Sequence, residues 1–175
     1  MKTIESVFEV LNKIDVSKYT KKKGKFTYLP WSDACSILLT HYPTSSWKIH
    51  EFPLLSPVFM IATKEKDGVI VSKPAPAGTT VSGLMVPYCQ TPLGFFCTVS
   101  LKVEGITRTE TLPVYNNSMQ TNLNPTANDI NDTIKRCFCK AAALFGLGLY
   151  IYRGEGIPES PAAFKEGPVE VVHAP

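Results

Sequence analysis

The sequence predicts an α+β protein in which an antiparallel β-sheet packs against a long helix near the carboxyl end, with further helices at the amino end. Three observations predict this class: helical spacing of apolar residues in the first 42 positions, strand-like segments from Trp47 to Val114, and a narrow apolar stripe after residue 126. The 175 residues and 44% hydrophobic content suit one globular domain. We expect it over residues 1–156, with a Pro-rich, disordered tail over 157–175.

Two helices are predicted in the amino-terminal part. The first covers residues 4–14, where one face collects Ile4, Val7, Phe8, Leu11 and Ile14. The second begins near Pro30, because proline is favoured in the first helical turn, and Pro43 stops it. Its core-facing side is expected to carry Trp31, Ala34, Cys35, Leu38 and Tyr42.

The middle of the chain is predicted to form strands. Apolar or β-branched runs broken by Pro and Gly occur at 58–63, 69–72 and 81–86. The clearest strand is Phe95–Val103, in which apolar odd-numbered residues alternate with mostly polar even-numbered ones. Glu104 and Gly105 suit a hairpin turn into a return strand over 106–114. Neither face of the return strand is strongly apolar, so we expect it at an exposed part of the sheet.

The last helix is predicted to begin with a capping-box-like start formed by Thr126 and Asp129. Its apolar stripe is expected to consist of Ile130, Ile134, Cys137, Ala141 and Leu144. Gly146 is expected to end the helix, since glycine is favoured just beyond a helical terminus. The apolar run LGLYIY that follows is expected to be extended.

Positive charge is concentrated although the formal net charge is only +3. One short segment holds Lys18, Lys21, Lys22, Lys23 and Lys25. We expect Ser17–Lys25 to be a loop, which either is simply solvated or contacts nucleic acid.

The last helix carries a second group of cations on its outward half, at Lys135, Arg136 and Lys140. A planar guanidinium can form bidentate hydrogen bonds to phosphate, which an ammonium cannot. The alternative is that Arg136 pairs with Asp129 or Asp132 and only solvates the helix.

Aromatic side chains could supply stacking surfaces for exposed bases. The candidates by residue type are Tyr28, Trp31, Tyr88, Phe96 and Tyr115. Most aromatic residues in a domain of this size belong to the core, and Trp31 in particular fits the core side of the second helix.

Other classes of function have little support in the sequence. His41, His50 and His173 are widely spaced, and nucleophile, two-metal and Walker-type motifs are absent, so we expect neither an enzyme nor a cofactor. The five cysteines form no disulfide or zinc framework and are expected to be reduced thiols. No stretch has the length of a membrane span and no export signal is evident, which favours the cytoplasm.

Three segments together resemble a known family. They are KFTYLPWSDA (25–34), EGITRTETLPV (104–114) and DINDTIKRCFCKAAALFGLGLYIYRGE (129–155). They are similar to phage single-strand annealing proteins of the Sak type, specifically the third Sak group, in the superfamily of the eukaryotic recombination protein Rad fifty-two. The resemblance covers nearly all of residues 5–158. The departures are CFCKAAA, where the family helix usually has an aliphatic run, and the Pro-rich stretch 71–88, which does not align.

The resemblance implies a β-β-β-α core and assembly into rings or filaments that lay single-stranded DNA in a groove. Such proteins anneal complementary strands without ATP in phage recombination and repair, often beside an exonuclease or a single-strand-binding protein, in the cytoplasm of the host. In the eukaryotic relative, the corresponding helix carries adjacent Lys and Arg that grip the DNA backbone. The DTIKR segment matches this pattern at Lys135 and Arg136.

The candidate DNA-binding residues extend this pair to other cations along the chain. The full set is Lys135, Arg136, Lys140, Lys21, Lys22, Lys23, Lys25, Arg108, Arg153 and Lys102. Three alternatives stay open: a passive single-strand binder that does not anneal, a nuclease, and an interaction module that acts through the Pro-rich tail.

Overall fold

A computed structural model describes residues 6–24, 26–54, 60–66, 69–74, 84–116 and 120–153. Three α-helices and ten strands lie in these ranges, with short 3-10 helices at Ser17–Tyr19 and Leu149–Arg153. In chain order the elements are α1 (Val7–Asn12), β1 (Lys21–Lys23), β2 (Phe26–Tyr28), α2 (Trp31–His41), β3 (Ser46–Ile49), β4 (Phe52–Pro53), β5 (Met60–Lys66), β6 (Val69–Pro74), β7 (Met85–Val86), β8 (Cys89–Thr91), β9 (Gly94–Val103), β10 (Ile106–Pro113) and α3 (Ala127–Leu144). This mixture of helices and antiparallel strands confirms the predicted α+β class.

The chain divides into two compact units, each assembled from separate stretches of sequence. Unit 1 comprises Met1–Trp47, Leu101–Arg108 and Phe138–Pro175, whereas unit 2 comprises Lys48–Ser100 and Thr109–Cys137. The single annealing domain over residues 1–156 stays a prediction, and the tail over 157–175 lies outside the described residues.

Unit 1 contains both amino-terminal helices. A capping box starts α1: the Ser6 backbone N–H donates to Glu9 Oε2 at 2.7 Å, and the Glu9 N–H donates to Ser6 Oγ at 3.3 Å. Pro30 precedes α2, as predicted, and Ala34, Ile37 and Leu38 are its buried residues.

Two apolar residues of these amino-terminal helices, assigned to the buried side by helical spacing, are exposed instead. Trp31 is 43% exposed, and Phe8 of α1 is also exposed. Trp31 occupies the first position of α2, where the helix has no preceding turn to shield it. The prediction that Trp31 is a core residue is therefore wrong.

Gly146 ends α3, as predicted. With φ of +101°, its N–H donates to the Ala143 carbonyl at 2.8 Å, while the Leu147 N–H donates to the Ala142 carbonyl at 3.2 Å. This is the Schellman arrangement, in which a left-handed residue satisfies the last carbonyls of a helix.

The close approach of α1 requires glycine at 146 for a second reason. A Cβ there would lie 2.7 Å from the Phe8 carbonyl oxygen and 2.9 Å from the Asn12 nitrogen. The chain can turn in this space only because position 146 has no side chain.

The segment after Gly146 corrects a prediction. The apolar run LGLYIY does not adopt the extended conformation that was predicted. Gly148 also has a positive φ (62°), and the chain then enters the 3-10 helix Leu149–Arg153. That helix buries Tyr150, whose hydroxyl accepts a hydrogen bond from the Val16 N–H at 3.0 Å and donates to Asp15 Oδ1 at 3.4 Å.

The principal sheet has the strand order β10-β9-β3, and β8 also pairs with β9. The predicted alternation in β9 is confirmed, since Cys97, Val99, Leu101 and Val103 are buried. Glu104 (φ 47°) and Gly105 (φ 79°) form the predicted turn into β10, an edge strand whose first four residues are exposed.

Within unit 2 the long helix packs on this sheet through buried residues of β9. The Cys97 thiol donates to the Ile130 carbonyl at 3.8 Å, and the Cys137 thiol donates to the Cys97 carbonyl at 3.2 Å. Burial raises the pKa of Cys97 to about 12, so this thiol stays protonated at neutral pH.

The buried side of α3 differs from the predicted stripe. Ile130, Cys137 and Ala141 are buried as expected, but Leu144 is exposed and Phe138 is buried. Thr133 is buried too, and its hydroxyl donates to the Asp129 carbonyl at 2.8 Å. A polar residue can occupy the core face here because it satisfies its hydrogen bond within the helix.

The capping box at the start of α3 makes a pH-dependent contribution that can be measured. The Thr126 N–H and hydroxyl donate to Asp129 Oδ2 at 2.9 and 2.8 Å, and they hold the pKa of this carboxyl below its usual value. The lowered pKa stabilises the fold at neutral pH, and this contribution is lost as the pH falls through the folded-state value. We expect NMR titration to give Asp129 a pKa below the ordinary value of an aspartate, and the Thr126→Ala variant a higher pKa at this residue. Equal values in the two proteins would contradict this account.

Candidate nucleic-acid interface

Arg136 lies over the ring of Tyr115 in unit 2. The guanidinium carbon is 5.2 Å from the ring centroid, and both side chains are half-buried. Tyr115 directly follows the buried Val114 and forms a β-bridge with Thr121, so its backbone is fixed. An aromatic face beneath a guanidinium attracts the cation while the planar edge stays available for hydrogen bonding.

The two carboxylates proposed as partners of Arg136 are occupied by other groups. Asp129 accepts hydrogen bonds from Thr126 and from Asn122 Nδ2, the latter at 3.2 Å. Asp132 Oδ1 lies 3.6 Å from Lys135 Nζ. The structure therefore does not support the alternative in which Arg136 is neutralised by its own helix.

Lys135 is more loosely held than Arg136. Its side chain is 37% exposed and that of Asp132 is 74% exposed, which makes their ion pair a surface contact. Such pairs contribute about 0–1 kcal/mol, so the ammonium can exchange this partner for a phosphate at little cost.

In unit 1, two further candidate cations lie over aromatic rings. Lys140 Nζ is 5.8 Å from the centroid of Tyr152, and the Arg108 guanidinium carbon is 5.9 Å from that of Phe145. Lys140 is half-buried on α3, whereas Arg108 is exposed on the edge strand β10. Lys102 is exposed on β9 and borders an open cavity with Thr44, Ser46, Glu104 and Gly105.

The amino-terminal lysines lie on a hairpin, which corrects the predicted loop. After the 3-10 helix Ser17–Tyr19, β1 pairs with β2 through the positions Lys21↔Tyr28, Lys22↔Thr27 and Lys23↔Phe26. Gly24, with a φ of 60°, contributes to the turn. Lys25 and the side chains of Lys23 and Arg153 lie outside the described residues.

This hairpin combines exposed cations with exposed aromatic rings. Lys21 and Lys22 are exposed, Phe26 is 50% exposed and Tyr28 is 41% exposed. Residues directly opposite in an antiparallel pair share a face, so Lys21 neighbours Tyr28 across the strands. Phe26 was not among the predicted aromatic candidates, although its alternation with Tyr28 in KFTY was a usable signal.

The other aromatic candidates are less exposed than those of the hairpin. Tyr88, Phe96 and Tyr115 are half-buried, and Tyr88 packs edge-to-face on Phe95 at 5.4 Å between centroids. Sequence reasoning missed Trp47 and Tyr152, which are both exposed. Trp47 makes an edge contact with the buried Phe138, 5.2 Å between centroids.

Formal charge is distributed unequally between the two units. Unit 1 without residues 154–175 contains eleven Lys and Arg and five Asp and Glu, a net charge of +6. Unit 2 contains six of each kind, so its net charge is zero. A polyanion is therefore attracted to unit 1 as a whole, and to unit 2 only through local groups such as Arg136.

Among the described residues, no group of three or more His, Cys, Asp and Glu is placed to hold a metal ion, and no helix is long and apolar enough to cross a membrane. Both described histidines have hydrogen-bond partners within the protein: His50 Nε2 lies 2.7 Å from Ser100 Oγ, and His41 Nδ1 lies 2.9 Å from the Ile37 carbonyl.

Comparison with protein-family models matches residues 6–170 to the Sak single strand annealing protein. No curated protein and no solved structure matches the chain. The matched region includes the β1–β2 hairpin, the sheet, Tyr115 and all of α3. The extent of this match shows that the chain belongs to the Sak single strand annealing protein family.

Proposed function

We propose that this protein binds single-stranded DNA through its backbone and anneals complementary strands without ATP. The family to which it belongs supports annealing, and the observation that carries the DNA contact is Arg136 held over Tyr115 with no carboxylate of its own helix bound to it. The protein forms no covalent bond in this reaction, because annealing needs only that two strands be held near each other with their bases free to pair.

Arg136 and Lys135 are the proposed phosphate contacts of unit 2. The guanidinium donates two parallel hydrogen bonds to phosphate oxygens, while Tyr115 keeps its plane fixed. Lys135 adds a mobile charge after leaving Asp132. Contacts of this kind read no sequence, which suits a protein that must act on any pair of complementary strands.

The β1–β2 hairpin is the proposed contact of unit 1. Lys21 and Lys22 attract the phosphates, and the exposed rings of Phe26 and Tyr28 offer surfaces on which bases can stack. A base stacked on an aromatic ring gains about 1–3 kcal/mol, whatever its identity. Lys102, Arg108 and Lys140 extend the cationic surface of the same unit.

We further propose that the protein works as a homo-oligomer, ring or filament, in phage recombination in the cytoplasm of the host, beside an exonuclease or a single-strand-binding protein. Each protomer then holds only a few nucleotides, and neighbouring protomers make the later contacts intramolecular. The exposed Leu93 and Leu123 offer apolar area that assembly would bury.

Annealing of two complementary fluorescent oligonucleotides, without ATP, tests the proposal. We expect the protein to accelerate pairing at low salt and to lose this effect at moderate salt, since phosphate contacts are replaced by cations. Binding without faster pairing would identify a passive single-strand binder. Cleavage of a labelled strand in the presence of Mg²⁺ would identify a nuclease and contradict the proposal.

A further inference from the structure

The two most exposed large apolar side chains that the structure describes lie beside each other in unit 2. Leu93 is 77% exposed in the turn between β8 and β9, and Leu123 is 69% exposed in the segment that leads to α3. A Cβ built on Gly94 would lie 3.8 Å from Leu123 Cδ2 and would clash with Thr121 Cγ2. Two segments distant in sequence therefore form one surface, here named the uncharged patch, which consists of Pro92, Leu93, Thr121, Leu123 and Asn124.

Hydrogen bonds fix the backbone that presents these leucines. In the β8–β9 turn, the Thr91 hydroxyl donates to the Gly94 carbonyl at 3.0 Å and accepts from the Leu93 N–H at 3.1 Å. In the second segment, the Asn122 N–H donates to the Val114 carbonyl at 2.8 Å. Because both segments are already held in place, a partner that binds here orders little additional backbone.

The sequence around the patch contains no charged residue. Residues 84–100 and 120–128, all within unit 2, have no Asp, Glu, Lys or Arg, although 19% of the whole chain is charged. Depletion of charge around exposed apolar side chains is typical of the centre of a protein–protein interface. A nucleic acid, in contrast, needs cations to balance its phosphates. The composition of this surface therefore favours a protein partner.

We propose that the uncharged patch is where one copy of this chain contacts another. The inference rests on the proposed function, because it names the surface through which the proposed homo-oligomer assembles. The charge distribution indicates a second copy as the partner. Unit 2 has no net charge, whereas unit 1 is positively charged and is repelled by unit 1 of another copy. Two copies therefore approach each other most easily through unit 2.

The position of the patch connects this contact to the proposed DNA contact. Thr121 forms a β-bridge with Tyr115, whose ring lies under the Arg136 guanidinium. Copies joined at the patch therefore carry Arg136 near their contact, so that one strand can pass from copy to copy. Two leucines bury far less than the roughly 800 Å² per partner of a stable interface, so the contact is weak until a shared strand holds the copies together.

Analytical ultracentrifugation of the full chain without DNA tests the contact. We expect the mean mass to rise with protein concentration, and to rise further between about 50 and about 500 mM salt. Salt screens the repulsion between positively charged copies and does not weaken an apolar contact. The mass of a single copy at every concentration, or a mean mass that falls as salt is added, would overturn the proposal.

Substitutions locate the contact on the surface. Leu93→Ser combined with Leu123→Ser should raise the dissociation constant for self-association by about tenfold or more. Ile106→Ser combined with Leu144→Ser is the matched control, since it removes two exposed apolar side chains from unit 1. This control should change the constant by less than about twofold. Equal effects of the two pairs, with folding verified by circular dichroism, would contradict the proposal.

Oligothymidylate of two lengths distinguishes this contact from DNA binding. A strand of about six nucleotides, which one copy can hold, should bind the Leu93→Ser, Leu123→Ser variant as tightly as the wild type. A longer strand shared by several copies should bind the variant about tenfold more weakly. Weaker binding of the short strand would place the leucines on DNA and refute the contact between copies. If copies associate through the leucines but neither strand binds, the contact stands and the proposed function fails.

Discussion

Replacing Arg136 by alanine is expected to weaken binding of single-stranded DNA by about tenfold or more, and annealing with it. Charge-assisted hydrogen bonds contribute about 1.5–3 kcal/mol each, and 1.4 kcal/mol corresponds to a factor of ten in affinity. The fold should survive, because the half-buried side chain gives up only its contact with Tyr115, worth about 0.5–1 kcal/mol.

Fluorescence anisotropy with oligothymidylate over a series of salt concentrations measures this effect. Loss of one phosphate contact should reduce the slope of log K against log salt by about 0.7. Lys48→Ala removes one exposed positive charge from the same unit and serves as the matched control, with a change expected to stay below about twofold. Normal binding by Arg136→Ala, or an unfolded variant by circular dichroism, would refute the role given to this residue.

The contact with Tyr115 predicts how the neighbouring ring contributes. Tyr115→Phe keeps an aromatic face under the guanidinium and should bind DNA nearly as well as the wild type, whereas Tyr115→Leu should lose part of the affinity. Arg136→Lys keeps the charge but not the bidentate geometry, so it should fall between wild type and alanine. If Tyr115→Phe were as defective as Tyr115→Leu, the hydroxyl and not the ring would be the important group.

Gly146→Ala is expected to lower the free energy of unfolding by roughly 2–4 kcal/mol, a large effect for one methyl group. Two costs combine in this variant. A side chain at φ of +101° strains the backbone, and its Cβ would meet the Phe8 carbonyl oxygen at 2.7 Å and the Asn12 nitrogen at 2.9 Å. These atoms belong to the backbone of α1, so they cannot move aside as a flexible side chain would.

Urea unfolding followed by circular dichroism measures the loss. Gly105→Ala is the matched control, since Gly105 also has a positive φ (79°) but has no heavy atom within 4 Å of a built Cβ. It should lose only about 1 kcal/mol, the cost of the left-handed backbone alone. Similar losses in the two variants would mean that the approach of α1 to position 146 contributes nothing.

Local patterns predicted much of this fold. The alternation in β9, the Glu104-Gly105 turn, the Thr126–Asp129 capping box and the stop at Gly146 each depend on residues within a few positions of one another. Such features can be read from sequence because the physical cause is local. Wrong predictions arose where distant segments decide, as for Trp31, whose helical spacing does not reveal that its side chain stays 43% exposed at the start of α2.

The same distinction holds for the candidate interface. Helical spacing placed Arg136 on the accessible side of α3, and the structure keeps it half-exposed. Its partner could not be found in this way, because Tyr115 lies 21 positions earlier, in a different kind of local structure. The segment predicted to be a basic loop is a hairpin for a comparable reason. Three lysines in succession have low strand propensity, and they form a strand because they pair with Phe26–Tyr28.

The discontinuous sequence of unit 1 has a consequence for biosynthesis. The Val16 N–H donates to the Tyr150 hydroxyl, 134 residues away in the sequence. The close approach of α1 to Gly146 joins segments with a similar sequence separation. At a translation rate of about 5–20 residues per second, the amino-terminal segment emerges from the ribosome roughly ten seconds before its partners exist. During that interval the apolar side of α1 and α2 has no native surface to cover it, so chaperone binding to the nascent chain should be strongest there. High contact order of this kind also slows refolding.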